Sequence, residues 1–205
     1  MRIYRHTILE SGQNTGDKRQ GYAFINREVF KAMKYANIKY YDIANGAGIR
    51  TSLFVSGCTH RCKGCFNEAA WDFNFGSEFT DSVIEAILES ITPDYIKGLS
   101  LLGGEPMEPA NQPAVLELLR KFKKRFPKKD IWCYSGFTYD IDFLEGGKAY
   151  TDISDEILSL IDVMVDGKFE MELYDVSLRF RGSSNQRLID VPKSRSAKQI
   201  VLWDE

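Results

Sequence analysis

Three cysteines fall within eight residues, in Cys58-Thr59-His60-Arg61-Cys62-Lys63-Gly64-Cys65, a C-x3-C-x2-C spacing. Zinc sites pair two C-x2-C knuckles and want four ligands, and no second knuckle is present. Three thiolates on one short loop can hold three corners of a cubane iron–sulfur cluster. That leaves one iron without a protein ligand, whereas electron-transfer clusters are closed by a fourth cysteine. An open iron is a place for a substrate or cofactor to bind. Gly57 and Gly64 let the backbone turn tightly around the sulfurs. Two other chemistries compete: a zinc site with His60 as fourth ligand, and a reactive dithiol pair. The fourth cysteine, Cys133, lies 68 residues beyond Cys65, inside the apolar run Ile131-Trp132-Cys133-Tyr134. It reads as a small buried apolar residue.

The elements that must carry this loop alternate strand and helix. Ile49 to Ser56 reads as a strand. Thr80 can cap a helix through Ile91, with Val83, Ile84, Ile87, Leu88 and Ile91 in one stripe. Gly98 to Leu102 is a second strand. Pro113 suits the first turn of a helix to about Phe126, and Asp130 to Ser135 is a third strand. Ser154 caps a helix to Leu160, and Val163 to Val165 is a fourth strand. Arg187 to Val191 and Gln199 to Trp203 read as further strand. The alternation predicts an α/β fold with right-handed crossovers. We expect a partial, open βα barrel with a curved, mainly parallel sheet and outer helices. Each predicted strand ends in a polar or glycine-rich motif: Gly57-Cys58, Gly103-Gly104-Glu105-Pro106, Ser135-Gly136 and Asp166-Gly167-Lys168. Ligands of parallel α/β folds sit at the carboxyl ends of the strands, so the four motifs should converge on one site.

The chain has 205 residues, 43% of them hydrophobic, with 27 Lys+Arg against 29 Asp+Glu. This is an ordinary globular composition, with no general attraction to nucleic acid or anionic membrane. No run approaches 18 apolar residues, so no membrane span is expected. No apolar stretch follows Met1-Arg2-Ile3-Tyr4-Arg5-His6, and clustered thiols suit a reducing compartment, so the expected location is cytoplasmic. Residues 1–36 read as an N-terminal extension with a glycine-rich polar segment at Ser11–Gly21 and a short helix at Asn26–Tyr35. Residues 37–205 read as the main domain. Lys121, Lys123, Lys124, Arg125, Lys128 and Lys129 form a basic run that reads as a solvated helix face.

The C-x3-C-x2-C loop after one strand and Gly-Gly-Glu-Pro after the next resemble the radical S-adenosylmethionine superfamily. Within it, several further segments are similar, in order, to the family of activating proteins of anaerobic ribonucleoside-triphosphate reductase. They are Asp42–Arg50, Phe54–Cys58, Cys65-Phe66-Asn67, Trp71, Gly103–Pro106, Val165-Asp166-Gly167-Lys168-Phe169 and Arg181-Gly182-Ser183-Ser184-Asn185-Gln186. The resemblance covers roughly residues 38 to 190.

It implies that Cys58, Cys62 and Cys65 hold a 4Fe–4S cluster whose open iron is chelated by S-adenosylmethionine. Reductive cleavage would give a 5′-deoxyadenosyl radical, which takes hydrogen from a glycine of the reductase's large subunit and leaves a glycyl radical there. The partners implied are that subunit and a low-potential electron donor such as flavodoxin. The protein supplies position and exclusion, with no catalytic side chain beyond the cluster and cofactor. The implied cofactor contacts are Phe66, Asn67, Gly103, Gly104, Glu105, Ser135, Asp166 and Lys168. Glu105 would offset the cofactor's ammonium, Lys168 its carboxylate, and Phe66 would lie near the adenine. Asn45, Ser135, Asp166, Lys168 and Asn185 each have a scaffold reading beside the site one. Ala47 departs from the usual proline, and Tyr134-Ser135-Gly136-Phe137 from Trp-Thr-Gly-Tyr. The competing functions are an activase of a different glycyl-radical enzyme and a structural zinc module.

Overall fold

The structure is a computed structural model, and it describes residues 33–204. Seven strands form one sheet: β1 (Lys34–Asp42), β2 (Ile49–Val55), β3 (Ser77–Glu78), β4 (Ile96–Gly103), β5 (Asp130–Tyr134), β6 (Val163–Asp166) and β7 (Arg187–Asp190). The helices are α1 (Asp81–Ser90), α2 (Gln112–Arg125), α3 (Tyr139–Asp142), α4 (Ser154–Leu160) and α5 (Val191–Ala197), with 3-10 turns at Glu68–Trp71 and Met171–Leu173. The strand order is β3-β1-β2-β4-β5-β6-β7. The central strands β2, β4, β5 and β6 pair in parallel. β1 and β3 on one edge and β7 on the other pair antiparallel. The sheet is open. Parallel pairing is thus confined to its centre, where helical crossovers connect the strands.

The register aligns the carboxyl ends. Val55 pairs with Gly103, Leu101 with Cys133, and Tyr134 with Val165. Side chains alternate between the faces. One face, with Leu53, Val55, Leu99, Leu101, Ile131, Cys133 and Met164, packs on the apolar stripes of α1, α2 and α4. Cys133 is fully buried there, as its apolar context predicts. The other face carries Trp132, Val163 and Val165, packed with Tyr134, Phe180 and Trp203.

Local signals explain most boundaries. Thr80 caps α1, its hydroxyl accepting from the Val83 N–H at 3.4 Å. Pro113 sits in the first turn of α2. Four expectations change. Ser154 is the first residue of α4 rather than its cap, and its hydroxyl donates to the Thr151 carbonyl at 2.8 Å. Val191 opens α5 instead of extending β7, because the Asp190 side chain accepts from the Lys193 N–H and Pro192 suits a first turn. Within 199–203 only a single bridge, Leu202 to Ile189, is strand-like. Of the helix expected at Asn26–Tyr35, residues 26–32 and the Ser11–Gly21 segment lie outside the described residues. Lys34 and Tyr35 belong to β1, and Met33 is buried in the core.

Candidate iron–sulfur and cofactor site

The cysteine loop leaves the end of β2 and is fastened to the sheet before its first sulfur. Gly57, in the left-handed region at φ +92°, donates to the Ala70 carbonyl at 2.8 Å, and the Cys58 N–H donates to Trp71 at 3.2 Å. The Gly103–Glu105 turn after β4 locks onto the same strand end. The Gly104 N–H donates to Val55 at 2.7 Å and the Glu105 N–H to Gly57 at 2.8 Å. A Cβ on Gly104 would lie 2.6 Å from the Gly57 carbonyl oxygen and 2.9 Å from that of Ala70. The close approach this glycine allows is therefore to the thiol loop's own backbone.

Glu105, 1% exposed, ties three strand ends together. Its Oε2 accepts from the Gly136 N–H at 2.7 Å and pairs with His60 Nε2 at 3.0 Å, while Oε1 accepts from the Met107 N–H at 2.8 Å. The His60 ring stands edge-on to Phe137, with centroids 4.4 Å apart. Two residues that sequence reasoning missed complete the anchorage. Buried Glu108 accepts from the Thr59 N–H at 2.7 Å and its hydroxyl at 2.6 Å, and buried Asn111 donates to the Ser56 and Glu105 carbonyls. The signal was available: both are polar residues just ahead of an apolar helix, where burial demands partners.

Cys58, Cys62 and Cys65 are all free thiols and all line one cavity of about 690 Å³. Gly103, Gly104, Glu105, Ser135 and Gly167 line it too, so the four strand-end motifs converge as expected. Phe66 stands at its mouth, 82% exposed, beside the partly exposed Met171 and Tyr174. Ser135 uses its hydroxyl to accept from the Phe137 N–H at 3.1 Å. Asn45 is on the lining, donating to Asp42 at 2.6 Å.

Asn67, Asp166 and Lys168 are not on the lining. Asn67 donates its N–H to the Cys65 sulfur at 3.4 Å. Asp166 is buried and accepts from Arg187 on both oxygens and from the Tyr139 N–H. It holds β6 to β7. Lys168 stands close enough to Cys62 to favour its thiolate. Asn185 donates to the Lys168 carbonyl at 2.8 Å, and Gln186 to that of Gly167 at 3.0 Å. The two segments that carried the family resemblance thus brace each other. Tyr134 and Arg181, named in the resemblance but not assigned to the site from sequence, line the cavity.

Burial pushes the Cys58 thiol up to about 12, offset in part by the His60 N–H and reinforced by Glu105. Burial also raises Cys62, against the pull of Lys168. A cation binding there must displace those protons.

These residues fit an iron–sulfur cluster better than a single zinc ion. His60 Nε2 is committed to Glu105, and among the described residues no group of three or more His, Cys, Asp or Glu is arranged around one ion. Comparison with known proteins agrees. Residues 44–189 match the family model described as a 4Fe-4S single cluster domain. The anaerobic ribonucleoside-triphosphate reductase-activating protein of Vibrio cholerae is 43% identical over 157 residues, 75% of this chain and 96% of its own. Its Escherichia coli K12 counterpart is 42% identical over 156 residues, again 75% and 96%. The enterobacteria phage T4 protein of the same name is 39% identical over 157 residues, 76% and 93%.

This chain belongs to the anaerobic ribonucleoside-triphosphate reductase-activating protein family. The basic run sits on this member's outer surface and is largely paired. Lys121 bonds Asp81, Lys123 bonds Asp162, Arg125 bonds Glu89, and Lys129 donates to the Ile91 and Pro93 carbonyls. No helix among the described residues is long and apolar enough to cross a membrane.

Proposed function

We propose that this chain is the activase of an anaerobic ribonucleoside-triphosphate reductase, acting in the cytoplasm on the reductase's large, glycyl-radical subunit. When bound at Cys58, Cys62 and Cys65, a 4Fe–4S cluster supplied with one electron by a donor such as flavodoxin would cleave S-adenosylmethionine to the 5′-deoxyadenosyl radical that takes hydrogen from a glycine of that subunit. The observation that carries this reading is the convergence of three free thiols and the Glu105 carboxylate on one cavity at the carboxyl ends of parallel strands.

The chain's own residues bind and orient. Glu108, Glu105 and Asn111 hold the thiol loop to the sheet. The N–H group of Asn67 bonds the Cys65 sulfur, an arrangement that tunes a cluster's potential. Glu105 places negative charge at the wall where the cofactor's ammonium would sit. Phe66, Asn67, Gly103, Gly104, Ser135, Asp166 and Lys168 make up the rest of the proposed site, Asp166 and Asn67 by support and not by lining. The mouth beside Phe66, Met171 and Tyr174 would admit a backbone loop of a protein substrate. The concave wall of a partial βα barrel would be the face bearing Trp132 and Tyr134. Residues 37–205 would form the radical S-adenosylmethionine domain, with 1–36 an extension whose last residues enter β1.

The test is electron paramagnetic resonance on anaerobically reconstituted, dithionite-reduced protein, with and without S-adenosylmethionine. A four-iron signal that changes on adding the cofactor is expected, followed by glycyl radical formation on the reductase. Stoichiometric zinc and no cluster signal would overturn the proposal. A cluster signal with radical formation only on a different glycyl-radical enzyme would reassign the partner.

A further inference from the structure

The cavity is lined by one arginine, Arg181, that has no carboxylate partner among the described residues. Its Nη1 donates to the Gln186 carbonyl at 2.7 Å, and among the described residues its guanidinium has no other hydrogen-bond or ion-pair partner. Arg50, Arg120, Arg125, Arg187 and Arg195 each have a carboxylate within ion-pair distance, and Arg61, which like Arg181 has none, lies off the lining. The other basic group on the lining, His60, is spent on Glu105. Lys168 lies off the lining.

The arginine is also held in place. Gln186 Oε1 accepts from the Gly182 and Ser183 N–H groups, and Gln186 Nε2 donates to Gly167. That turn continues to Lys168, which lies close to Cys62. The guanidinium is therefore fixed, through Gln186, to the turn after β6 that lies beside the thiol loop. A guanidinium presents a rigid fork of donors that matches a carboxylate. The same cavity carries the Glu105 carboxylate. One fixed anion and one cation without a carboxylate partner, lining one cavity, are the complement of an amino-acid zwitterion.

We propose that Arg181 recognises the carboxylate of the amino-acid portion of the ligand in this cavity. The assignment rests on the proposed function, which names that ligand as S-adenosylmethionine. It gives Arg181 the role that sequence reasoning assigned to Lys168. Arg181 would set specificity for an intact carboxylate, beside whatever the metal contributes.

The experiment measures binding and needs no turnover. Reconstituted wild type, Arg181→Gln and Arg181→Lys are titrated by equilibrium dialysis with S-adenosylmethionine and with its decarboxylated analogue. Circular dichroism and iron content confirm that each variant is folded and loaded. Arg181→Gln is expected to weaken S-adenosylmethionine by roughly 10- to 100-fold, the range for a hydrogen bond to a charged group, and to leave the decarboxylated analogue unchanged. Arg181→Lys should keep part of the preference, since it keeps the charge and loses the fork. Equal weakening of both ligands would mean that Arg181 only holds its loop, and would overturn the assignment. So would no weakening of either. If Arg181→Gln does not load iron, the preference of Arg181→Lys decides, and one equal to wild type overturns the role of the fork. Wild type that loads its cluster and binds neither ligand overturns the proposed function itself.

Discussion

On β5, Cys133 faces the helices, while its neighbours Trp132 and Tyr134 face the other way. The difference runs through the whole sheet. On the helix side, Leu53, Leu99, Leu101 and Met164 meet Ile87, Leu119, Phe122 and Ile157, all fully buried. Apolar burial of this kind is non-directional, and it holds the fold. At the strand ends, the thiol loop adds to the His60–Phe137 ring contact a set of polar anchors. It is held by directional bonds to Glu105, Glu108, Asn111 and backbone carbonyls. One region supplies stability and the other position. Buried polar networks specify geometry when every member is satisfied.

This division can be broken from either side. The largest effect is expected at the sulfurs. Replacing Cys58, Cys62 and Cys65 together by Ala should abolish iron binding, as read by iron and sulfide analysis, while the circular dichroism spectrum is kept. Collapse of the fold in that variant would show that the loop is structural, as in a zinc module. On the other side, Phe122→Ala empties a fully buried position and should cost about 3–5 kcal/mol in urea denaturation. Iron per folded molecule should not change. A parallel loss of iron would mean that the two regions are coupled.

Gly104→Ala tests the seam between them. The added methyl meets the Gly57 and Ala70 carbonyls and has nowhere to move, so a loss of about 1–3 kcal/mol is expected together with lower iron loading. Unchanged loading would show that the loop reaches its place without this contact.

The smallest effect concerns protons. The folded, cluster-free protein holds the Cys58 thiol up at about 12, against 9.0 for an ordinary thiol. The stability this group contributes is intact below the ordinary value and is lost as pH rises through the folded one. The urea midpoint of cluster-free protein should therefore fall as pH rises from about 9 toward 12, and fall less in Cys58→Ser. Identical falls in the two proteins would assign the effect elsewhere.

Much of this was readable in the residues. The C-x3-C-x2-C spacing, the helix stripes on α1 and α2, the Thr80 cap and the four strand-end motifs are local patterns, and local geometry dictates them. Edge strands were not: β1 and β3 have no strong alternation of their own, and β1 forms on the edge that β2 offers, β3 on the edge that β1 then offers. The Val191–Ala197 segment became helix because a capping aspartate and a proline outweighed its apolar start.

Residue type and spacing alone determined that three thiols share one loop and that glycine-rich turns follow the strands. Only the tertiary structure decided what each polar side chain does, because that depends on which partner lies within about 3 Å, and partners come from distant segments. Asp166 found Arg187, 21 residues away, and became a strut. Glu105 found His60, 45 residues away, and became a clamp. Arg181 found no carboxylate and was left facing the cavity.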